Sequence, residues 1–240
     1  MTYALLAVLV ACAVIFLYVG VPWIYGRFSR ILLGRKAAKI RTLVLTFDDG
    51  PGDRLTLIIL KLLAEYNAKA TFYLLGRNIA GREKIVRQMA EQGHEICSHG
   101  YDHLHYWRVS PIRAIKDIKQ GWDAIDAAMG FRRAKYPFRP PHGELNIITL
   151  LYLLLRRVPI VYWSVDLGDT WLETVDPRRI GRLAKKAGGA VALAHDFDRS
   201  DGILDPLILE SVRSALAVAR QTGMQVLTCS QLFGYHKGKH

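Results

Sequence analysis

The stretch Thr42-Leu43-Val44-Leu45-Thr46-Phe47-Asp48-Asp49-Gly50-Pro51 decides the reading of the fold. An unbroken run of apolar and β-branched residues, closed by two carboxylates and a Gly-Pro turn signal, spells a strand buried on both faces with polar chemistry at its C-terminal end. The same grammar recurs down the chain. Residues 42–47, 70–75, 94–97, 136–138, 160–165, 190–194 and 225–228 read as strands, and residues 55–66, 82–92, 111–129, 144–156, 177–187 and 203–222 as the helices between them. Strands interleaved with helices predict an α/β fold with a parallel sheet, open or closed into a barrel. The segment 145–155 is unusually apolar and reads either as a buried helix or as one touching a membrane surface.

Upstream of that stretch the chain changes character. No charged residue occurs from Met1 to Gly26, and the run from Ala4 to Tyr25 is long enough to cross a bilayer as a helix. Tyr18, Trp23 and Tyr25 fall near its C-terminal end, where interfacial aromatics tend to lie. A secretory signal peptide competes with an anchor, but the opening residues MTYALL lack the expected basic group. The expected organisation is a transmembrane anchor over 1–26, a basic juxtamembrane linker over 27–41 and a catalytic domain over 42–240. Arg27, Arg30, Arg35, Lys36, Lys39 and Arg41 carry the linker's charge with no acid among them. By the positive-inside rule this flank favours a single-pass protein of the cytoplasmic membrane with its domain on the cytoplasmic face, and the same cluster suits anionic head groups.

The whole chain has 240 residues and a formal net charge of +12, with 51% hydrophobic and 22% charged residues, which excludes intrinsic disorder and allows a sizeable core. Such a balance favours anionic partners. No nucleic-acid partner is expected, because much of the basic excess lies beside the membrane segment and no recognisable nucleic-acid motif occurs. The three cysteines, Cys12, Cys97 and Cys229, are far apart and define no disulfide framework.

Polar clusters follow five of the expected strands: Asp48-Asp49-Gly50, His99 with His103, Arg139-Pro140-Pro141-His142-Gly143, Asp166 with Asp169, and His195-Asp196. In a βα barrel all strand C-termini open on one face, so the five would converge there. His99 and His103 are four apart, a usual spacing for two nitrogen ligands of one zinc. A carboxylate from the Asp48-Asp49 pair would complete a catalytic set with open positions, and the other could take a proton from water. His195 at the same rim becomes a candidate general acid, and Arg139 a partner that keeps an aspartate ionised.

Taken together these segments resemble the polysaccharide deacetylase family, also called the NodB homology domain or carbohydrate esterase family 4. The resemblance spans roughly 41–233. It rests on Thr46-Phe47-Asp48-Asp49-Gly50-Pro51, Ala70-Thr71-Phe72-Tyr73-Leu74-Leu75-Gly76, Gly93-His94-Glu95-Ile96-Cys97-Ser98-His99-Gly100-Tyr101-Asp102-His103, Phe138-Arg139-Pro140-Pro141-His142-Gly143 and Leu193-Ala194-His195-Asp196, in the family's order. It implies a distorted (β/α)₇ barrel preceded by the transmembrane helix, and a hydrolase that removes an N-acyl group, acetyl above all, from an amino sugar. The substrate would be a cell-envelope polysaccharide or a lipid-linked glycan, and the membrane lipids would meet the helix and its basic flank. A catalytically inactive, membrane-anchored glycan-binding barrel is the alternative.

The resemblance also implies roles. Asp48 would be the general base, and Asp49, His99 and His103 would bind a divalent metal, usually zinc. Arg139 would orient Asp48, and His195 would protonate the departing amine. A backbone N–H near Asp49 or His142 would complete an oxyanion site. Pro141, His142, Gly143 and Trp171 would line the substrate. Two departures from the family pattern stand out. Gly100 occupies a place usually held by Ser or Thr, and an extra residue precedes Trp171, so that either Asp166 or Asp169 could support His195, with Asp169 preferred.

Overall fold

A computed structural model describes residues 2–133, 135–169, 188–198, 202 and 204–234. Six parallel strands form one sheet among them: β1 (Thr42–Asp48), β2 (Thr71–Leu74), β3 (Glu95–Ser98), β4 (Val165–Asp166), β5 (Ala190–His195) and β6 (Gln225–Val226). The order is β3-β2-β1-β5-β4, with β6 paired to the start of β1. Isolated parallel bridges Ser98–Phe138 and Phe138–Ile160 continue the ladder beyond β3 towards the segment that leads into β4. The expected strands over 136–138 and 160–165 are thus reduced to single bridges and to the short β4. Pro137, Pro140 and Pro159 punctuate these segments and supply no N–H to a ladder.

All seven residues of β1 are buried, as the central strand of a parallel sheet covered on both faces requires. Alternation then sorts them. Leu43, Leu45 and Phe47 join the main core beneath the helices, whereas Val44 joins Tyr73, Cys97 and Val191 on the other face. The helices are α3 (Leu55–Glu65), α4 (Gly76–Ile79), α5 (Glu83–Glu91), α6 (Pro111–Met129), α7 (Ile147–Leu155), α8 (Asp205–Thr222) and α9 (Cys229–Phe233). Their ends follow local chemistry. Ser110 caps α6 by accepting from the Arg113 N–H, and Gly130 ends it in a left-handed conformation at φ 72°. Asn146 caps α7 in the same way through the Thr149 N–H. The helix expected over 177–187 lies outside the described residues.

The N-terminal region departs most from expectation. α1 (Thr2–Ile15), a π-helical turn (Phe16–Gly20) and α2 (Val21–Lys39) form one continuous helix. Its 37 residues from Tyr3 to Lys39 include a stretch long and apolar enough to cross a membrane, none of it buried against the protein. The basic segment expected as a linker is the second half of that helix. Pro22, Gly26, Leu33 and Ala37 recur at helical spacing and are buried on one stripe. Small residues let the stripe lie close: a Cβ on Gly26 would sit 3.2 Å from the Tyr162 ring, and one on Gly34 3.2 Å from Ser164 Cβ. Leu33 and Ala37 thereby cover the face of the sheet that carries Val44 and Val191. Periodicity alone could not reveal this, because the outward positions carry Arg and Lys side chains that look like a solvated linker.

Candidate active site

Because the strands are parallel, their C-terminal ends share one edge, and Asp48 on β1 stands in register with His195 on β5. The next residue, Asp49, adopts a left-handed backbone at φ 73°, which turns its carboxylate away from the strand direction. The Asn78 side-chain amide donates to the Asp49 carbonyl at 2.7 Å and holds that turn. Sequence reading missed Asn78, whose role exists only through the fold.

Asp49 Oδ1 lies 3.6 Å from His99 Nε2 and 3.3 Å from His103 Nε2. The three groups each offer one ligand atom, all within 4.8 Å of one another. His99 Nδ1 is 2.8 Å from the Arg139 carbonyl, which only accepts, so the proton sits on Nδ1 and the Nε2 lone pair faces Asp49. Burial holds the His99 imidazole down to about 3, so it is neutral at physiological pH. Asp49 Oδ1 is buried and has no hydrogen-bond partner among the described residues. A buried carboxylate oxygen with the His99 Nε2 lone pair and His103 Nε2 turned towards it is an arrangement that suits a cation between them. The residues present therefore fit a divalent metal, and two nitrogens with one oxygen suit zinc while leaving positions open.

Asp48 sits beside this set, with Oδ2 3.7 Å from His99 Nε2. Its Oδ1 accepts from Arg139 Nη1 at 2.7 Å. Arg139 is fully buried and well held: Nη1 also donates to Thr46 Oγ1, Nε to the Val161 carbonyl and Nη2 to the Tyr162 carbonyl. Its guanidinium carbon stands 4.0 Å from the Tyr73 ring centroid. Burial pushes the Asp48 carboxyl above its usual range, against the opposing pull of Arg139 and His195.

Across the edge, Asp169 grips His195 twice. Its Oδ2 accepts the His195 backbone N–H at 2.7 Å and its Oδ1 lies 2.9 Å from Nδ1. The carboxylate fixes the proton on Nδ1 and leaves Nε2 as the nitrogen free to exchange one. Burial by itself would lower the proton affinity of His195, but Asp169, and beyond it Asp49 and Asp48, carry it up to about 9. Asp166, the other candidate, accepts from the Gly168 N–H within its own turn. Asp196 is buried behind Gly50, and its carboxyl is pushed up to about 7, chiefly by burial.

The rim is built by the 3₁₀ turn Pro141–Gly143, where His142 has φ 57°. The His142 ring lies 4.2 Å from the His103 ring and stacks flat on His105 at 3.6 Å. Glu144 Oε2, 3.0 Å from His105 Nδ1, orients that stack. Neither His105 nor Glu144 was expected from the sequence. Asp117 on α6 was also missed. It accepts the N–H groups of Tyr101 and Asp102 and the Tyr106 hydroxyl, so one buried carboxylate holds the loop between the two histidines. Gly100, at φ 85°, fits because a Cβ there would run into Asp117 Oδ2. Trp171 lies outside the described residues.

A family model described as polysaccharide deacetylase matches residues 35–155. The peptidoglycan-N-acetylglucosamine deacetylase PgdA of Listeria monocytogenes is 29% identical over 201 residues, covering 83% of this chain and 40% of the relative. A chitooligosaccharide deacetylase of Bradyrhizobium sp. (strain ANU 289) is 30% identical over 156 residues, covering 65% of this chain and 71% of the relative. The solved structure of the Bc1960 peptidoglycan N-acetylglucosamine deacetylase superposes with a TM-score of 0.72 at 28% identity, covering 83% of this chain and 91% of that one. The chain thus spans well under half the length of the Listeria relative.

Proposed function

The chain belongs to the polysaccharide deacetylase family, and from that premise we propose that it is a metal-dependent hydrolase removing an N-acyl group, acetyl first of all, from an amino sugar of a cell-envelope glycan. The observation that carries this reading is the convergence of Asp49, His99 and His103 within 4.8 Å, flanked by the buried Asp48 and the partly buried His195. The pairing path from β3 through Phe138 and Ile160 to β4 supports reading the sheet as a distorted (β/α)₇ barrel.

Asp49, His99 and His103 would hold the divalent metal, zinc first of all, which would supply Lewis acidity to the amide carbonyl and to water. Asp48 takes the proton of the attacking water, and its elevated proton affinity suits it to that task. The ion pair with Arg139 fixes which Asp48 oxygen remains available. Water oxygen bonds to the acyl carbon, the C–N bond breaks, and His195 delivers its proton to the departing nitrogen, giving a free amine and acetate. Asp169 keeps His195 protonated and oriented. Pro141, His142 and Gly143 line the sugar site.

The apolar helix is an anchor in the cytoplasmic membrane, and its basic flank favours a cytoplasmic catalytic domain. Reporter fusions at the C-terminus that are active only outside the cytoplasm would refute that orientation. The catalytic reading is tested by titrating zinc into the metal-free full-length chain in detergent. Wild type binds about one zinc per chain and His103→Ala binds at least tenfold more weakly. Equal binding by both, or none by either, would refute the metal site. Acetate release from N-acetylglucosamine oligomers by the zinc-loaded form then tests the reaction.

A further inference from the structure

The continuous N-terminal helix ties the membrane directly to the catalytic rim. Arg30 lies five residues beyond Tyr25, the end of the apolar run, which places it about 7–8 Å further along the helix axis, at head-group depth. It is half-buried, and it makes no hydrogen bond or ion pair among the described residues; its Nε is buried without a partner. Its guanidinium carbon stands 4.0 Å from the Trp163 ring centroid and 5.5 Å from that of Tyr162. Such stacking uses the flat face; with Nε enclosed, the Nη1 and Nη2 donors remain to take an oxyanion. Arg30 Nη2 also crowds the space beside Gly143, next to His142, whose ring touches that of the ligand His103. A cation with no hydrogen-bonded or ion-paired partner among the described residues, with Asp166 near enough to act on it only through its charge, therefore stands at the mouth of the site.

α7 bears on the same geometry. It packs against the π-helical turn Phe16–Gly20, which lies within the apolar run. Ile148, Leu151, Leu154 and Leu155 point outward on α7, with Leu155 84% exposed. A helix that touches the apolar helix and turns a leucine face outward has a surface suited to the acyl region of a bilayer. α7 begins at Ile147, a few residues after the rim turn ends at Gly143, so its apolar face and the rim are joined by a short connection.

We propose that Arg30 forms a phosphate-binding subsite, and that the amino sugar this enzyme deacylates is joined through phosphate to a membrane lipid. The inference rests on the deacylase reading above and narrows its substrate. The lipid tail lies along α7, the phosphate meets Arg30 beneath Trp163, and the sugar reaches past Gly143 to the metal set.

The test uses the full-length chain in phosphatidylcholine nanodiscs. Metal-free protein is titrated with dodecyl phosphate and with dodecanol. Wild type binds the phosphate at least about tenfold more tightly than the alcohol, and Arg30→Gln abolishes that preference while Arg30→Lys keeps part of it. The absence of a preference in wild type, or its persistence in Arg30→Gln, overturns the subsite. Nanodiscs containing phosphatidylglycerol separate the sources of phosphate. If that lipid displaces dodecyl phosphate fully, the anion belongs to bulk head groups and the substrate assignment falls. Zinc-loaded protein is then given N-acetylglucosamine linked to dodecanol through a phosphodiester, and soluble tetra-N-acetylchitotetraose. Arg30→Gln lowers kcat/KM on the lipid phosphate about 10- to 100-fold, mainly through KM, and at least about tenfold more than on the soluble oligomer, while a melting curve matching wild type shows that the variant folds. Equal loss on both substrates overturns the proposal. If neither releases acetate, the deacylase reading fails while the binding arm still decides the subsite.

Discussion

Replacing Asp117 by alanine tests how the metal loop is held. The carboxylate accepts from the Asp102 N–H at 2.8 Å, the Tyr101 N–H at 3.0 Å and the Tyr106 hydroxyl at 2.8 Å. Asp117 and Tyr106 are buried, and burial together with Asp117 pushes the Tyr106 phenol well up, so it stays a donor. Truncation strands three donors, each costing about 1–3 kcal/mol when buried. Water reaches part of the loop, so the total is about 3–4 kcal/mol, a fall in Tm of about 6–15 °C for a domain of this size. The loop carries His103 at its end, so zinc affinity should fall with it, by about 10- to 100-fold. Calorimetry of the metal-free protein and competition with a zinc chelator read the two effects separately. A Tm within about 2 °C of wild type and a zinc affinity within about twofold would refute the claim that Asp117 organises the site. Gly100→Ser should behave similarly, because φ 85° and the nearby Asp117 Oδ2 leave no room for a Cβ.

Asp169→Asn should lower kcat on N-acetylglucosamine oligomers by about 100-fold or more, because the acid loses the charge that keeps it protonated. A change under about threefold would remove His195 and Asp169 from the proton-delivery step. In the metal-free wild type, the raised His195 value near 9 means the group binds its proton more tightly folded than unfolded. Its contribution to stability is complete below the unfolded value near 6.5 and is lost as pH rises through about 9. NMR titration of the His195 ring, alongside melting curves between pH 6 and 10, checks the sign. Gly50→Ala should cost about 1–3 kcal/mol, since a Cβ there meets the buried Asp196 carboxylate; an unchanged denaturation midpoint would contradict that packing.

Much of the site was legible because its residues end strands. A buried parallel strand must be apolar, so the first reactive side chains after it mark the open edge; this is how Asp48, Asp49, His99, His103, Arg139 and His195 could be found together. α6 matched its expected bounds because Ser110-Pro111 and Gly130 are strong start and stop signals. The residues that hold the site were less visible. Asn78, His105, Asp117 and Glu144 come from helices and loops whose local sequence gives no hint of what they face. The choice of Asp169 beside His195 depends on how a turn of a few residues folds back on β5, which spacing leaves open.

The chain's own pattern of apolar runs and terminating polar residues determined the α/β class, the strand edges that carry chemistry and the long apolar N-terminal helix, because each depends on neighbours in sequence. Only the tertiary structure decided that the basic flank is a helix packed on the sheet. It also decided that Asp117 supports the metal loop from α6, and that Arg30 stacks on Trp163 at the rim without a hydrogen-bond partner among the described residues. Each of these depends on side chains far apart along the chain meeting in a buried space, where an unmatched charge or an unfilled donor acquires a cost that no linear pattern records.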